Sequence, residues 1–236
     1  TFTCMTAFAY ALSKWRNQQE LTLNATVFNR LPFHEDVEQM IGDFTTLLLQ
    51  SCKIDKKSDF WENVTKVLKE FLECFQHRAY DGVNVIRDYC EFNGINSGKA
   101  VMPVVFTSML YGDDKEKDFE NEISDLRNLD YIVSQTSQVY LDHQIMEHKG
   151  GIMLAWDYVI DLFEEETIDD MFADYESMIT CILNDQEPKM CSGKLEKCYD
   201  IYNDTNQDIP KQTLQGMFRK AVSEFPDNIC IKHKEK

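Results

Sequence analysis

The sequence predicts an α/β protein: a mixed β-sheet with helices packed against it, an α/β sandwich. Three observations lead there. Segments with the 3.6-residue period of amphipathic helices are interleaved with segments of strand-like period two. The run "VMPVVFTSML" (101–110) is almost wholly apolar and β-branched, the composition of a strand buried on both faces. Lys149-Gly150-Gly151 separates two strand-like segments as a hairpin turn, so at least one pair is antiparallel.

Taken in order, residues 1–17 place Cys4, Phe8, Leu12 and Trp15 on one helical stripe. "ELTLNATVFNR" alternates as a strand, and "DVEQMIGDFTTLLLQSC" leads through Gly42 into another. The clearest helix starts near Ser58, a good N-cap, and turns Phe60, Val64, Val67, Leu68, Phe71 and Phe75 inward. A further helix runs from about Gly82 to Phe92 and is stopped by Asn93-Gly94. Behind the apolar strand, "YGDDKEKDFENEISDLRNLD" reads as a solvated acidic connection. "SQTSQVYLDHQ" (134–144) and "IMLAWDYVI" are the two arms of the hairpin. After Glu164-Glu165-Glu166, a helix buries Ile168, Met171, Phe172, Tyr175, Ile179 and Ile182. The periodicity breaks near Asn184, so residues 185–209 read as a linker. Pro210 then opens a short amphipathic helix through Leu214, Met217, Phe218 and Val222, and residues 210–236 are too few for a domain of their own.

Composition narrows the function classes. Hydrophobic residues make up 43 % and aromatics 12 % of the 236 residues, enough for a packed core. With 41 acidic against 24 basic residues the net charge is −17, which argues against nucleic acid and anionic membrane as partners. No apolar run is long enough to span a bilayer, and no signal peptide precedes the first helix. The eight cysteines contain no C-x-x-C pair, and Cys4, Cys74 and Cys90 fall in apolar helical patterns, so a reducing, cytoplasmic location is expected. The first residue, Thr1, already lies in a helical pattern, as expected for a piece of a longer chain.

The hairpin's first arm carries the candidate chemistry. Its even positions are Ser134, Thr136, Gln138, Tyr140, Asp142 and Gln144, a row of hydrogen-bonding groups where a core-facing strand places Val or Leu. A carboxylate such as Asp142 costs several kcal/mol to bury on a mid-sheet strand unless it is paired or hydrogen-bonded. The ordinary reading is a strand end or a structural hydrogen bond; the functional one is the wall of a solvated channel that holds a substrate. Thr107 and Ser108 end the apolar strand and matter only if they face that row. Asp157 and Asp43 sit beside large apolar residues, each with the character of a structural acid, and Arg30 is a plausible partner for one of them. The five histidines show no metal-ligand spacing, and no G-x-S-x-G, phosphate-loop or dinucleotide glycine pattern occurs.

Four strings in order resemble one family. "GDFTTLLL" (42–49), "PVVFTSML" (103–110), "SQTSQVYLDHQ" (134–144) and "WD" (156–157) are similar to consecutive motifs of the heterocyclization domains of non-ribosomal peptide synthetases. The family's last motif runs S-Q-T-P-Q-V-x-L-D, thirteen residues, then W-D; here residues 143–155 separate Asp142 from Trp156, the same thirteen. The Trp15 helix and "VFNRLPFHEDV" also fit, so the likeness covers residues 1–184. Ser137 replaces the family's proline, Gln50 stands where leucine is common, and the 111–130 connection is enlarged.

The resemblance implies a chloramphenicol-acetyltransferase-like fold of two lobes with a substrate tunnel between them, of which this chain is the C-terminal lobe. The family's D-x-x-x-x-D-x-x-S hallmark belongs to the other lobe. Asp169, Asp174 and Ser177 satisfy that spacing, but on a predicted helix, where the geometry is wrong. Residues 210–236 resemble the opening of an adenylation domain, with Asn203-Asp204-Thr205 and Phe225-Pro226-Asp227 as signals. The implied activity joins a carrier-bound acyl thioester to a carrier-bound Cys, Ser or Thr and cyclodehydrates the product to a thiazoline or oxazoline. Asp142 and Thr107 are the implied catalytic residues, with Gln138, Ser108, Gln144 and Asp157 binding substrate. No metal and no directly bound cofactor are implied. Phosphopantetheine arms come on partner carrier domains, and the other partners are the N-terminal lobe and the adenylation domain. Two alternatives stay open: amide-forming condensation without cyclization, which an upstream His-His-x-x-x-Asp-Gly string would mark, and a non-catalytic lobe that docks a carrier.

Overall fold

The computed structural model describes residues 1–96, 99–110, 138–148, 151–190, 202, 204 and 213–229. The chain divides into two compact units, Thr1–Ser192 and Gly193–Lys236.

The first unit is built on a five-stranded sheet in the order β2-β1-β3-β4-β5. Its strands are β1 (Glu20–Phe28), β2 (Thr45–Lys53), β3 (Val104–Met109), β4 (Leu141–His148) and β5 (Gly151–Tyr158). β1–β3 and β3–β4 pair in parallel, while β1–β2 and β4–β5 are antiparallel, so the sheet is mixed as expected. His148 pairs with Gly151, which closes the expected hairpin; Lys149 and Gly150 lie outside the described residues. The acidic stretch 111–130 also lies outside them. Val105 and Phe106, on opposite faces of central β3, are both buried.

Among the described residues this unit has four α-helices: α1 (Phe2–Arg16), α2 (Phe60–Gln76), α3 (Gly82–Asn93) and α4 (Glu165–Leu183). α1 was expected to bury one stripe, but Cys4 to Ala9 are buried without interruption. The reason is its position: α1 packs between α2 and α4 and against the sheet, and Ala7, Ala9 and Ala11 are small enough to let all of them approach. The cap of α2 is Asp59, one residue beyond the expected Ser58; its carboxylate accepts from the Trp61 N–H at 3.2 Å. α3 ends where the sequence indicated, with Gly94 in the left-handed region at φ 63°. Its first residue, Gly82, sits so close to β2 that a Cβ there would lie 2.8 Å from the Leu47 carbonyl oxygen.

α4 is tied to α1 through a buried carboxylate. Asp174 accepts from Trp15 Nε1 at 3.1 Å and faces Lys14 Nζ at 3.4 Å. Its neighbour in the accidental motif, Ser177, donates to the Lys189 carbonyl, so both residues are structural here. The start of the segment expected as a linker stays on this unit: Met190 packs against the core. Arg30 stacks over the Phe44 ring at 4.1 Å and donates to the Val37 carbonyl, rather than pairing with Asp43 or Asp157 as the sequence suggested.

The second unit contributes α5 (Leu214–Glu224) among the described residues. Thr213 caps it by accepting from the Gly216 N–H; Pro210 lies outside the described residues. No described helix in either unit is long and apolar enough to cross a membrane.

At the centre of the core stands a histidine. His143 is fully buried, stacked on Phe106 (centroids 4.5 Å apart, planes 16° apart) and 2.8 Å from the Tyr175 hydroxyl through Nε2. Burial pushes its pKa down to about 3, so folding holds it neutral. The unfolded chain protonates it near pH 6.5, so between those values the unfolded state binds the extra proton and stability rises with pH. We expect acidification below about pH 6.5 to cost up to about 1.4 kcal/mol per pH unit. Urea-unfolding midpoints against pH test this: His143→Phe, which keeps a ring on Phe106, should lose that slope, and an identical slope in both proteins would contradict it.

Candidate functional site

The sheet has two chemically different faces. Toward the helices point Leu21, Leu23 and Ala25 of β1, Phe106 of β3, Leu141, His143 and Ile145 of β4, and Trp156 of β5. Alternation sends the residues between them to the other face. There the register lines up two polar rows. Asn24, Val105, Asp142 and Asp157 are successive partners across β1, β3, β4 and β5. One step along, Thr107 partners Gln144, which partners Ala155, and Thr26 of β1 bonds Thr107 hydroxyl to hydroxyl at 2.9 Å.

Asp142 lies at the middle of this patch with 7 % of its surface exposed. Its Oδ2 accepts from Gln144 Nε2 at 3.3 Å, while Oδ1 is buried and meets no hydrogen-bond partner among the described residues. Burial raises the carboxyl's pKa above the ordinary value, and the negative charge of Asp157 opposite adds to the rise; the Gln144 bond works against both. The patch therefore holds a carboxyl that keeps a proton more readily than a surface aspartate and has one oxygen free to exchange it. Beside it are a hydroxyl pair and a side-chain amide. That set suits proton transfer at a polar substrate held on the sheet.

The structure brings together Asp142, Thr107, Gln144 and Asp157 from the sequence-derived set. It separates two others. Ser108 follows Thr107 directly, so it points to the helix side, where its hydroxyl bonds that of Thr1 at 2.9 Å. Gln138 was expected on the same strand face as Asp142, but β4 begins only at Leu141. Gln138 is exposed in the preceding turn, in the left-handed region at φ 65°. The polar row thus does not run as one strand through position 138; Ser134 and Thr136 lie outside the described residues.

Two further residues, outside the sequence-derived set, complete the patch. Asn24, only 4 % exposed, donates from Nδ2 to the Met102 carbonyl at 2.6 Å and leaves Oδ1 without a partner among the described residues. Thr26 is the other. The signal was present: Thr22, Asn24 and Thr26 alternate in "ELTLNATVF" as the polar groups do around Asp142. Among the described residues no three His, Cys, Asp or Glu side chains cluster as a metal site. A cavity of about 450 Å³ beyond β5, lined by Tyr158, Ile160, Asp161, Leu162, Phe163, Glu164 and Glu165, shares no residue with the polar patch.

Known proteins are similar to this chain in sequence and in fold. Residues 3–196 match the family model described as "Condensation domain". Bacitracin synthase 1 of Bacillus licheniformis is 40 % identical over 230 residues, which is 96 % of this chain and 4 % of that protein. Phenyloxazoline synthase MbtB of a Mycobacterium species is 30 % identical over 238 residues, 95 % of this chain and 19 % of that one. The chain thus spans a small fraction of these relatives. Among solved structures, the EpoB cyclization-docking bidomain from Sorangium cellulosum superposes with a TM-score of 0.62 at 30 % identity, covering 77 % of this chain and 36 % of that one. The architecture is chloramphenicol-acetyltransferase-like, an α/β sandwich whose mixed sheet is flanked by helices. The chain belongs to the condensation-domain family of non-ribosomal peptide synthetases.

Proposed function

We propose that this chain is the C-terminal lobe of a heterocyclization domain, and that its polar sheet face is one wall of the tunnel in which an amide is formed and dehydrated. The observation that carries the reading is the buried Asp142 carboxyl, raised in proton affinity and with Oδ1 unbonded among the described residues. The motif order and spacing around it, and its relatives named for phenyloxazoline synthesis and cyclization, support the same reading.

The reaction has two stages. The amine of a carrier-bound Cys, Ser or Thr attacks the carrier-bound acyl thioester, forming the amide and releasing the carrier thiol. The side-chain thiol or hydroxyl then adds to the amide carbonyl, and the resulting tetrahedral centre loses its hydroxyl as water while its nitrogen loses a proton, giving thiazoline or oxazoline. Asp142 is suited to both proton movements: its carboxylic acid protonates the departing hydroxyl, and the carboxylate so formed takes the nitrogen's proton. Gln144 holds Oδ2 and leaves Oδ1 for the substrate. Thr107, supported by Thr26, orients the tetrahedral centre or relays the proton. Asp157 acts through its charge on Asp142. Gln138, outside β4, enters this scheme only as a residue at the edge of the wall.

Both substrates arrive on phosphopantetheine arms of carrier domains, so the partners are carriers, the N-terminal lobe that completes the tunnel, and an adenylation domain begun by residues 210–236. The domain itself binds no cofactor on this reading. The test uses the whole synthetase protein with its carriers loaded with an acyl donor and cysteine, and reads the mass of the carrier-bound product. The parent should yield the condensed product minus one water. Asp142→Ala should yield uncyclized amide, with ring formation slowed by about 10²–10⁴-fold, the usual worth of a general acid–base group. Uncyclized amide from both proteins would replace the reading by plain condensation, and ring formation unchanged in the variant would remove Asp142 from the chemistry.

A further inference from the structure

The site face continues past its polar rows into an apolar one. One step beyond the Thr107–Gln144–Ala155 row, Met109 partners Met146, and Met146 partners Met153. Three of the chain's ten methionines thus stand side by side across β3, β4 and β5. All three are half-buried. Their neighbours Leu110, Ile145, Ile152 and Leu154 belong to or pack on the core, so alternation turns the methionines toward the side that carries Asp142. On β1, Phe28 lies two residues beyond Thr26 on that same face and is 64 % exposed.

We infer that this methionine row is the surface against which the acyl group of the donor lies, and that it selects donors with an apolar, branched or extended acyl chain. The inference rests on the reading of the polar face as the reaction wall. On that reading the acceptor's side chain is the nucleophile; it is small, polar and bound to the carbon being dehydrated, so it occupies the polar rows. The phosphopantetheine arm is rich in amides that three thioethers cannot satisfy by hydrogen bonding. The apolar part of the acyl chain is the remaining substrate group whose chemistry matches the row. Methionine's unbranched, polarizable side chain fits acyl chains of differing outline, so the row imposes apolarity rather than one shape.

The experiment again uses the whole synthetase protein, with cysteine on the acceptor carrier and acetyl or hexanoyl on the donor carrier. Single-turnover rates are read from total condensed product, cyclized or not, so the result does not depend on ring closure. The parent should transfer hexanoyl faster than acetyl. Met146→Gln, nearly the same size but polar, should reduce the hexanoyl-to-acetyl ratio by about ten-fold or more, the scale on which an apolar pocket discriminates one or two methylenes. Met153→Gln, on edge strand β5, should shift the ratio in the same direction and serves should Met146→Gln fail to fold. A parent without preference, or variants that slow both donors equally, would overturn the role of the row while leaving the site reading intact. No condensed product from the parent with either donor would overturn both.

Discussion

β4 carries Asp142, His143 and Gln144 in succession, and successive side chains of a strand leave on opposite faces. His143 goes into an aromatic nest of Phe8, Phe106, Trp156 and Tyr175, where its ring is held neutral and bonded to a phenol. That packing fixes the register of the strand, because a slip of one residue would bring the Asp142 carboxyl into the nest and turn the imidazole out. The same constraint orients Asp142 and Gln144 toward the opposite face. The parallel neighbour β3 then brings Thr107 beside Gln144, and the hairpin partner β5 brings Asp157 opposite Asp142. The helices matter to the site indirectly: α1, wedged between α2 and α4, supplies Phe8 to the nest, and the buried Asp174 holds α4 to α1.

Electrostatics gives the patch its character. Two carboxylates face each other across β4 and β5 on the same face of the sheet, and one of them is more than nine-tenths buried. A protein selecting only for stability would replace such a residue, since desolvation of a carboxylate is costly and a single side-chain amide offsets only part of it. Here the cost is kept beside hydroxyls and amides rather than removed. Local sequence rules that are broken in this way mark functional surfaces more often than core. The arrangement differs from Asp174, which is equally buried but meets an indole N–H and an ammonium and has the partners expected of a structural acid.

Much of this was legible in residue order, and the reasons for the exceptions are physical. The helix over Gly82–Asn93, the hairpin and the apolar strand follow from caps, turn residues and period two, which are local signals. The all-round burial of α1 was not legible, because it depends on what packs against the helix and not on its own period. Ser108 could be separated from Thr107 by alternation alone, yet the motif that suggested both residues does not say which of two neighbours faces the site. The alternating rhythm of 134–144 carries Gln138 onto the Asp142 face only if the strand continues back through it. The left-handed turn there breaks the strand, and a glutamine gives little warning of a positive φ. The alternation of Thr22, Asn24 and Thr26 marks a polar face of β1, but that this face is the one carrying Asp142 follows only from the parallel pairing of β1 with β3, a long-range fact.

The proton affinity of Asp142 decides whether the polar face can carry a proton, and its titration is the most direct test. The carboxyl carbon of Asp142, followed by carbon-13 NMR in the whole protein labelled at aspartate and assigned with Asp142→Asn, reports its pKa. The midpoint should lie above the ordinary aspartate value of 3.8, and lower in Asp157→Asn, where the opposing charge is gone. A midpoint at or below 3.8, unmoved by Asp157→Asn, would mean that Asp142 is an ordinary ionised side chain and that the polar face is not built to carry a proton.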